Sequence, residues 1–346
     1  GYAIAAGLGL TILANSRPYE GLVLSLPVGV GLFIWLLGKQ RPALGVMMRR
    51  VILPFAVIGI ITVGAMGYYN YRITGNVTRL PYLVHTQAYM MSTLFIWQTL
   101  PPKPVFRHKI IEDFHEKFEL PYYFEKRSLW GFIEVNFWAL MRHFVVVGSI
   151  FAIPLIGSAA GILMWSWHNY WGRFALFIYG FFIVGIMVET YSLPHYWAPI
   201  TALSYVFVLQ GLRLWRARDR RVGQFVVFGL PLLAVTVLAI TTYLLVSTRD
   251  DFSAAMQRAR LLTQLKEGQD RHLILVKYGP RHSYFKEWVY NEADIDGSKV
   301  VWARDMDSKE NCKLVEYFKD RLVWFLEIND DEAPIRLKSL PRQLCR

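Results

Sequence analysis

The chain is poor in cysteine, in charge and, through its first two thirds, in acid. Two cysteines in 346 residues exclude a scaffold built on disulfides. Charged residues make up 18%, below the ~25% of ordinary soluble domains, and hydrophobic residues make up 54%. That balance excludes a disordered chain and a simple cytosolic enzyme. There is no glycine-rich phosphate loop, because Gly297-Ser298-Lys299 lacks the rest of that motif. No series of His, Cys and acid has metal-ligand spacing, so no metal and no cofactor is expected. Asp294, Asp296 and Gly297 resemble part of a calcium loop, but the ligand series breaks off and a solvated turn is the simpler reading. Gly1 stands inside an apolar run with no leader pattern, and the expectation is a chain that lacks its natural N-terminus.

What is present is apolar sequence in blocks, bounded by arginines or polar turns, which indicates membrane-spanning helices. One partial span, Tyr2–Ala14, precedes six full ones: Leu22–Leu37, Val51–Tyr68, Phe144–Trp165, Phe174–Val188, Tyr196–Leu212 and Phe225–Val246. Pro27, Pro54, Pro154, Pro199 and Pro231 fall inside spans, where a helix bundle tolerates them as kinks. The 12 Trp and 19 Tyr suit belts at headgroup depth. The fold class expected is mainly α, a polytopic transmembrane bundle (1–247) with a small soluble α/β domain at the C-terminus.

The net charge of +12 lies almost wholly in the apolar part. Residues 248–346 hold 18 basic and 17 acidic side chains, which leaves 20 basic and 9 acidic in 1–247. A nucleic-acid binder carries its basic stripe on a soluble surface, so no nucleic-acid partner is expected. Lys39, Arg41, Arg49 and Arg50 fill one loop, Arg213, Arg216, Arg218, Arg220 and Arg221 another, and Arg173 sits in a third. These alternate loops fall on one side, the cytoplasm by the positive-inside rule. Asn15–Gly21, the long 69–143 segment, Glu189–His195 and the tail then lie outside, and the expected location is a bacterial inner membrane with the C-terminal domain extracytoplasmic.

The 69–143 segment is too long for a plain connector, and Pro81–Gln98, Phe106–Phe118 and Leu129–Met141 read as interfacial helices. A structural cap over the bundle and a functional role fit it equally. After Val246 the character changes. Residues 248–270 read as a linker helix, and 271–346 as an α/β domain. Its strands are His272–Tyr278, Lys299–Ala303 and Arg321–Ile328, and Asp307 with Glu310 forms a capping box for a helix through Phe318. Cys312 and Cys345 either pair or remain two thiols.

Two outward turns carry chemistry. In Asn15-Ser16-Arg17-Pro18-Tyr19-Glu20-Gly21 an Arg and a Glu stand between hydrophobic helices, which is costly unless they neutralise each other or Arg17 offers its fork to an anionic headgroup. In Glu189-Thr190-Tyr191-Ser192-Leu193-Pro194-His195-Tyr196-Trp197-Ala198-Pro199 a carboxylate, an imidazole, two phenols and an indole suit a sugar or a headgroup, or simply an aromatic belt. The 69–143 segment adds Arg72, Arg79, His85, Glu112 and Asp113. Its sequon Asn76-Val77-Thr78 is a short pattern that arises by chance.

These turns, with the proline-kinked spans and the outward tail, resemble the GT-C class of integral membrane glycosyltransferases. The likeness is to bacterial members related to protein O-mannosyltransferases and the aminoarabinose transferase. Ser16–Gly21 and Leu193–Pro199 are the most similar stretches, with Lys277–Pro280 and Glu287–Asn291 in the tail. The resemblance implies a polyprenyl-phosphate-linked sugar as donor and an extracytoplasmic glycan, lipid or protein as acceptor. It further implies direct displacement at the anomeric carbon. Arg17, Tyr19, Arg79, His85, His195 and Tyr196 would then bind the lipid phosphate or substrate. The family's acid sits in a first outward loop that this chain does not contain, and Glu20 is a weak substitute for it. The alternatives are a transporter or flippase of a lipid-linked substrate, and a non-enzymatic membrane anchor for a C-terminal binding domain.

Overall fold

The computed structural model describes residues 1–39, 41–148, 159–218, 220–247, 254–306, 308–330 and 337–341. They divide into two compact units, Gly1–Pro104 with Glu119–Ile240, and Val105–Phe118 with Thr241–Arg346. The 69–143 segment is therefore shared: its middle stretch belongs with the tail and its flanks with the helices.

The first unit is helical. It comprises α1 (Tyr2–Ser16), α2 (Pro18–Leu37), α3 (Leu44–Thr74), α4 (Pro81–Tyr89), α5 (Leu120–Arg127), α6 (Leu129–Gly148), α7 (Ala159–His168), α8 (Tyr170–Met187) and α9 (Thr201–Arg218). A short 3-10 stretch, Pro194–Ile200, leads into α9. Four helices among the described residues are long and apolar enough to cross a membrane: Pro18–Leu37, Leu44–Thr74, Tyr170–Met187 and Val227–Leu244. Their outer faces stay apolar and uncovered; Ile60 is 74% and Leu238 68% exposed.

Element boundaries depart from the sequence reading: Leu44–Arg50, expected in a loop, opens α3, Arg173 lies in α8, and helix covers only Pro81–Tyr89 of Pro81–Gln98. Helix α3 continues six residues beyond Tyr68 and ends on Gly75, whose φ of 73° is the left-handed cap that glycine supplies. The expected break between Met141 and Phe144 is absent, since α6 runs straight through it. The arginine loop after Leu212 is helical through Arg218, because straight-chain arginine is a good helix former. Much of the span expected at 144–165, Pro154 included, lies outside the described residues.

Small residues set the helix contacts. A Cβ on Gly7 of α1 would lie 2.9 Å from Ile58 of α3, and one on Gly185 of α8 would lie 2.4 Å from Val23 of α2. Close backbone approach of this kind is how helices associate where water does not drive packing. The core of the unit joins Val23, Ala139, Ile178, Phe182, Ile186, Trp197 and Ile200. It lies where α2, α6, α8 and the 3-10 stretch meet.

The second unit is built on a four-stranded sheet ordered β2-β1-β3-β4. Strand β1 (Arg271–Tyr278) runs parallel to both β2 (Val300–Arg304) and β3 (Arg321–Ile328), and β4 (Lys338–Ser339) adds an antiparallel edge. Five consecutive β1 residues are buried, as a central parallel strand covered on both faces requires. Two cores flank the sheet. One packs Ile274, Val276, Trp302 and Leu326 with Leu261, Leu262 and Leu265 of α10 (Ala254–Glu267). The other packs Leu273, Leu275 and Val323 with Val315 of α11 (Ser308–Tyr317) and Phe318. The stretch expected as a linker helix is thus part of the domain, and buried Arg258 donates from Nε to Trp288 O (2.8 Å) and from Nη2 to Tyr290 O (2.7 Å). Asp307, of the expected capping box, lies outside the described residues, as does Cys345; Cys312 is not a free thiol.

Candidate functional site

The two turns rich in Arg, Glu, His and Tyr meet in the first unit. Helix α1 ends at Ser16, Arg17 leaves helical geometry (φ −145°, ψ 74°), and Pro18 opens α2 at the position where its missing N–H costs nothing. The Arg17 side chain is thereby set at the hairpin. It donates from Nη1 to Glu20 Oε1 at 3.2 Å, and its guanidinium lies 4.5 Å from the centre of the Tyr196 ring. Glu20 is buried in the first turn of α2, where the helix dipole favours a carboxylate. Tyr19 donates from its hydroxyl to Gly185 O at 2.8 Å, tying α2 to the end of α8. The His195 ring packs edge-on against Tyr196 at 4.8 Å. Desolvation, then the nearby Arg17 charge, holds its imidazole below the ordinary value.

A second layer comes from sequence far away. Ile96 N donates to Val188 O at 3.2 Å and Thr190 N to Leu94 O at 2.8 Å, so Phe95 and Glu189 pair as an isolated antiparallel bridge. Lys126 of α5, 1% exposed, donates from Nζ to Glu189 O at 2.5 Å and to Ser192 Oγ at 2.6 Å. Asn136 of α6 donates to Met187 O at 3.3 Å. Ser92 and Tyr191 share a short hydroxyl contact. Behind them His143 stacks on Trp197 at 4.9 Å and reaches Ser204 Oγ at 3.1 Å.

The turn 189–197 holds unusual polar groups. Glu189 Oε2, Thr190 Oγ1 and Trp197 Nε1 are buried without a hydrogen-bond partner. Such atoms are rare in folded proteins and call for an explanation. Burial, then the Glu20 charge, pushes the Glu189 carboxyl up to about 8 against the pull of Lys126 and Arg17. Burial likewise pushes the Lys126 ammonium down to about 8. The corner therefore combines a fixed cation, a paired carboxylate, a buried carboxyl of raised proton affinity and an aromatic wall. That combination can hold a phosphate and accept a proton.

Of the residues singled out from sequence, Arg17, Tyr19, Glu20, His195 and Tyr196 come together here. Arg79 and His85 keep to the α4 region, with Arg79 donating to Gln87 Oε1 at 2.8 Å and the His85 ring 5.3 Å from Tyr89. Arg72 reaches Tyr68 of its own helix. Glu112 and Asp113 pair with Lys109 at 3.0 and 3.1 Å, in the second unit. Asp294 accepts from Gly297 N at 2.9 Å, which makes that loop a self-satisfied turn. Among the described residues no group of three or more His, Cys, Asp or Glu is placed to hold a metal ion.

The second unit has a polar cluster at the C-terminal ends of its parallel strands. Tyr278 stacks on His282 at 4.3 Å, His282 Nδ1 is 2.9 Å from Asp330 Oδ1, and Lys286 is 3.1 Å from Asp330 Oδ2. Tyr278 and Arg304 both bond Glu287. Burial would raise the Glu287 carboxyl, but these donors outweigh it and hold it low. Lys126 and the depth of Glu189 were not legible in sequence; only the presence of a carboxylate in the turn was. Set against family models, curated proteins and solved structures, the chain matches none of them.

Proposed function

We propose that the chain is an integral membrane glycosyltransferase that moves a sugar from a polyprenyl-phosphate donor to an acceptor on the outer side of the membrane. The four long apolar helices with uncovered outer faces support a transmembrane bundle, since a large exposed apolar surface is unstable in water. The observation that carries the activity is the meeting of Arg17, Glu20, His195, Tyr196 and Glu189 in one corner. Arg17 offers a fork that matches phosphate. Tyr196 and His195 offer faces and edges on which a sugar ring rests. A lipid-linked donor brings its phosphate to headgroup depth, and in this reading the α1–α2 hairpin turns at that depth.

In this reading the acceptor attacks the anomeric carbon, the bond to the phosphate oxygen breaks, and the lipid phosphate leaves. Arg17 stabilises the charge that develops on that oxygen. The resemblance of Ser16–Gly21 and Leu193–Pro199 to the GT-C turns agrees with this assignment. Arg17→Ala, in proteoliposomes fed a panel of labelled polyprenyl-phosphate sugars, is expected to abolish transfer while expression is unchanged. Transfer at the parental rate would remove Arg17 from the site.

A further inference from the structure

We infer that Glu189 is the group that takes the proton from the acceptor's attacking hydroxyl. The inference rests on the transferase reading and names a carboxylate for its proton transfer. Glu189 is only 8% exposed, and its Oε2 has no hydrogen-bond partner. A buried carboxylate oxygen left unsatisfied costs stability, and it persists at sites whose chemistry uses it.

The fold holds the group firmly. The bridge to Phe95, the Lys126 bond to its own carbonyl, and the bond from Glu189 N to Ile186 O at 3.2 Å fix the backbone on three sides. The side chain is the free part. Charged and titratable neighbours face it from each packed element: Arg17, Tyr19 and Glu20 from the α1–α2 hairpin, Lys126 from α5, Tyr82 from α4, and Tyr196 from its own turn. Glu20 is a poorer acceptor because Arg17 already pairs with it. Asp113, which among the described residues also has a buried carboxylate oxygen lacking a hydrogen bond, is ion-paired with Lys109 and lies in the second unit.

The step balances. The acceptor oxygen forms its bond to the anomeric carbon as the carbon–oxygen bond to phosphate breaks, and that electron pair leaves with the lipid phosphate. The hydroxyl proton passes to Glu189, which releases it to water. Burial favours the uncharged carboxylic acid before turnover begins, so the working form is the ionised fraction, and that fraction grows with pH.

Wild type, Glu189→Gln, Glu189→Asp and Arg17→Ala are compared in proteoliposomes containing undecaprenyl phosphate. Three measurements decide the matter. In the first, dicyclohexylcarbodiimide, which modifies protonated carboxyls in apolar surroundings, is mapped by mass spectrometry. It is expected to label Glu189 at neutral pH, to fade as the pH passes about 8, and to be blocked by undecaprenyl phosphate. In the second, binding of undecaprenyl phosphate alone is expected to be retained by Glu189→Gln and lost in Arg17→Ala. In the third, Glu189→Gln is expected to lower kcat by about 10²–10⁴-fold with little change in KM. Glu189→Asp is expected to recover part of the rate with a shifted pH profile. Label on Glu20 instead of Glu189, or a Glu189→Gln enzyme with parental kcat, overturns the inference and leaves the transferase reading in place. A wild-type protein that neither binds undecaprenyl phosphate nor transfers sugar overturns the transferase reading itself, and the role of Glu189 falls with it.

Discussion

Lys126 shows how a single buried charge organises the outer corner. Its ammonium is 1% exposed and satisfies one carbonyl and one hydroxyl of the 189–192 turn. Replacing it with Met leaves both acceptors without their donor, which costs about 1–3 kcal/mol for each unsatisfied group. Lys126→Met is therefore expected to lower the thermal midpoint in detergent by several degrees. The two perturbed groups also predict a pH dependence of opposite signs. Glu189 keeps its proton in the folded state above its ordinary 4.5, so its contribution to stability falls as pH rises from there to about 8. Lys126 sheds its proton early in the folded state, so its contribution rises between about 8 and its ordinary 10.5. Melting curves across that range are expected to pass through a minimum near pH 8 in wild type. The falling limb is expected to vanish in Glu189→Gln; a falling limb that survives the substitution would place its cause elsewhere.

At the scale of the element, the contact of α2 with α8 determines whether the corner exists. Gly185 lies one turn before the site, its carbonyl accepts from Tyr19, and a Cβ there would come 2.4 Å from Val23. Gly185→Val is expected to force α2 and α8 apart at a cost of about 1–3 kcal/mol. It is also expected to reduce binding of undecaprenyl phosphate without touching a charged residue. Gly9 is the control, because a Cβ there meets nothing within 4 Å and alanine favours the helix. Equal effects of Gly185→Val and Gly9→Ala on the melting midpoint would show that close approach at Gly185 is unimportant. The sequence reading located three of the four described strands of the second unit to within a residue or two and missed the two-residue β4, since β1 is a continuous apolar run and β3 begins and ends where the pattern does. It ended α3 too early and made a loop of the end of α9. In both places polar and aromatic residues continue a helix whose apolar face has run out, and composition does not register that.

For the whole molecule, the central prediction concerns sidedness. Lys39 and Arg41 stand between α2 and α3, Arg49 and Arg50 near the start of α3 and Arg173 in the first turn of α8, and loop charge leads to the expectation that they share one side and the proposed site lies on the other. A reporter fused after Arg346 is expected to be active only outside the cytoplasm, and a cysteine at position 41 is expected to be labelled only from inside. The reverse pattern would invert the assignment of every loop. Arg17 and Tyr196 lie against each other, so whichever face holds one holds the other.

The apolar blocks, the arginine asymmetry and the two turns rich in Arg, Glu, His and Tyr are properties of the sequence itself, because hydrophobic length and loop charge act locally along the chain. That Arg17 meets Tyr196, that Phe95 pairs with Glu189, and that Lys126 reaches across 63 positions to pin the same turn were decided only by tertiary packing. Burial is a collective property of the helices that close over a side chain. A glutamate in a polar turn acquires its raised proton affinity only after α2, α5 and the strand-like stretch around Phe95 have excluded water from it.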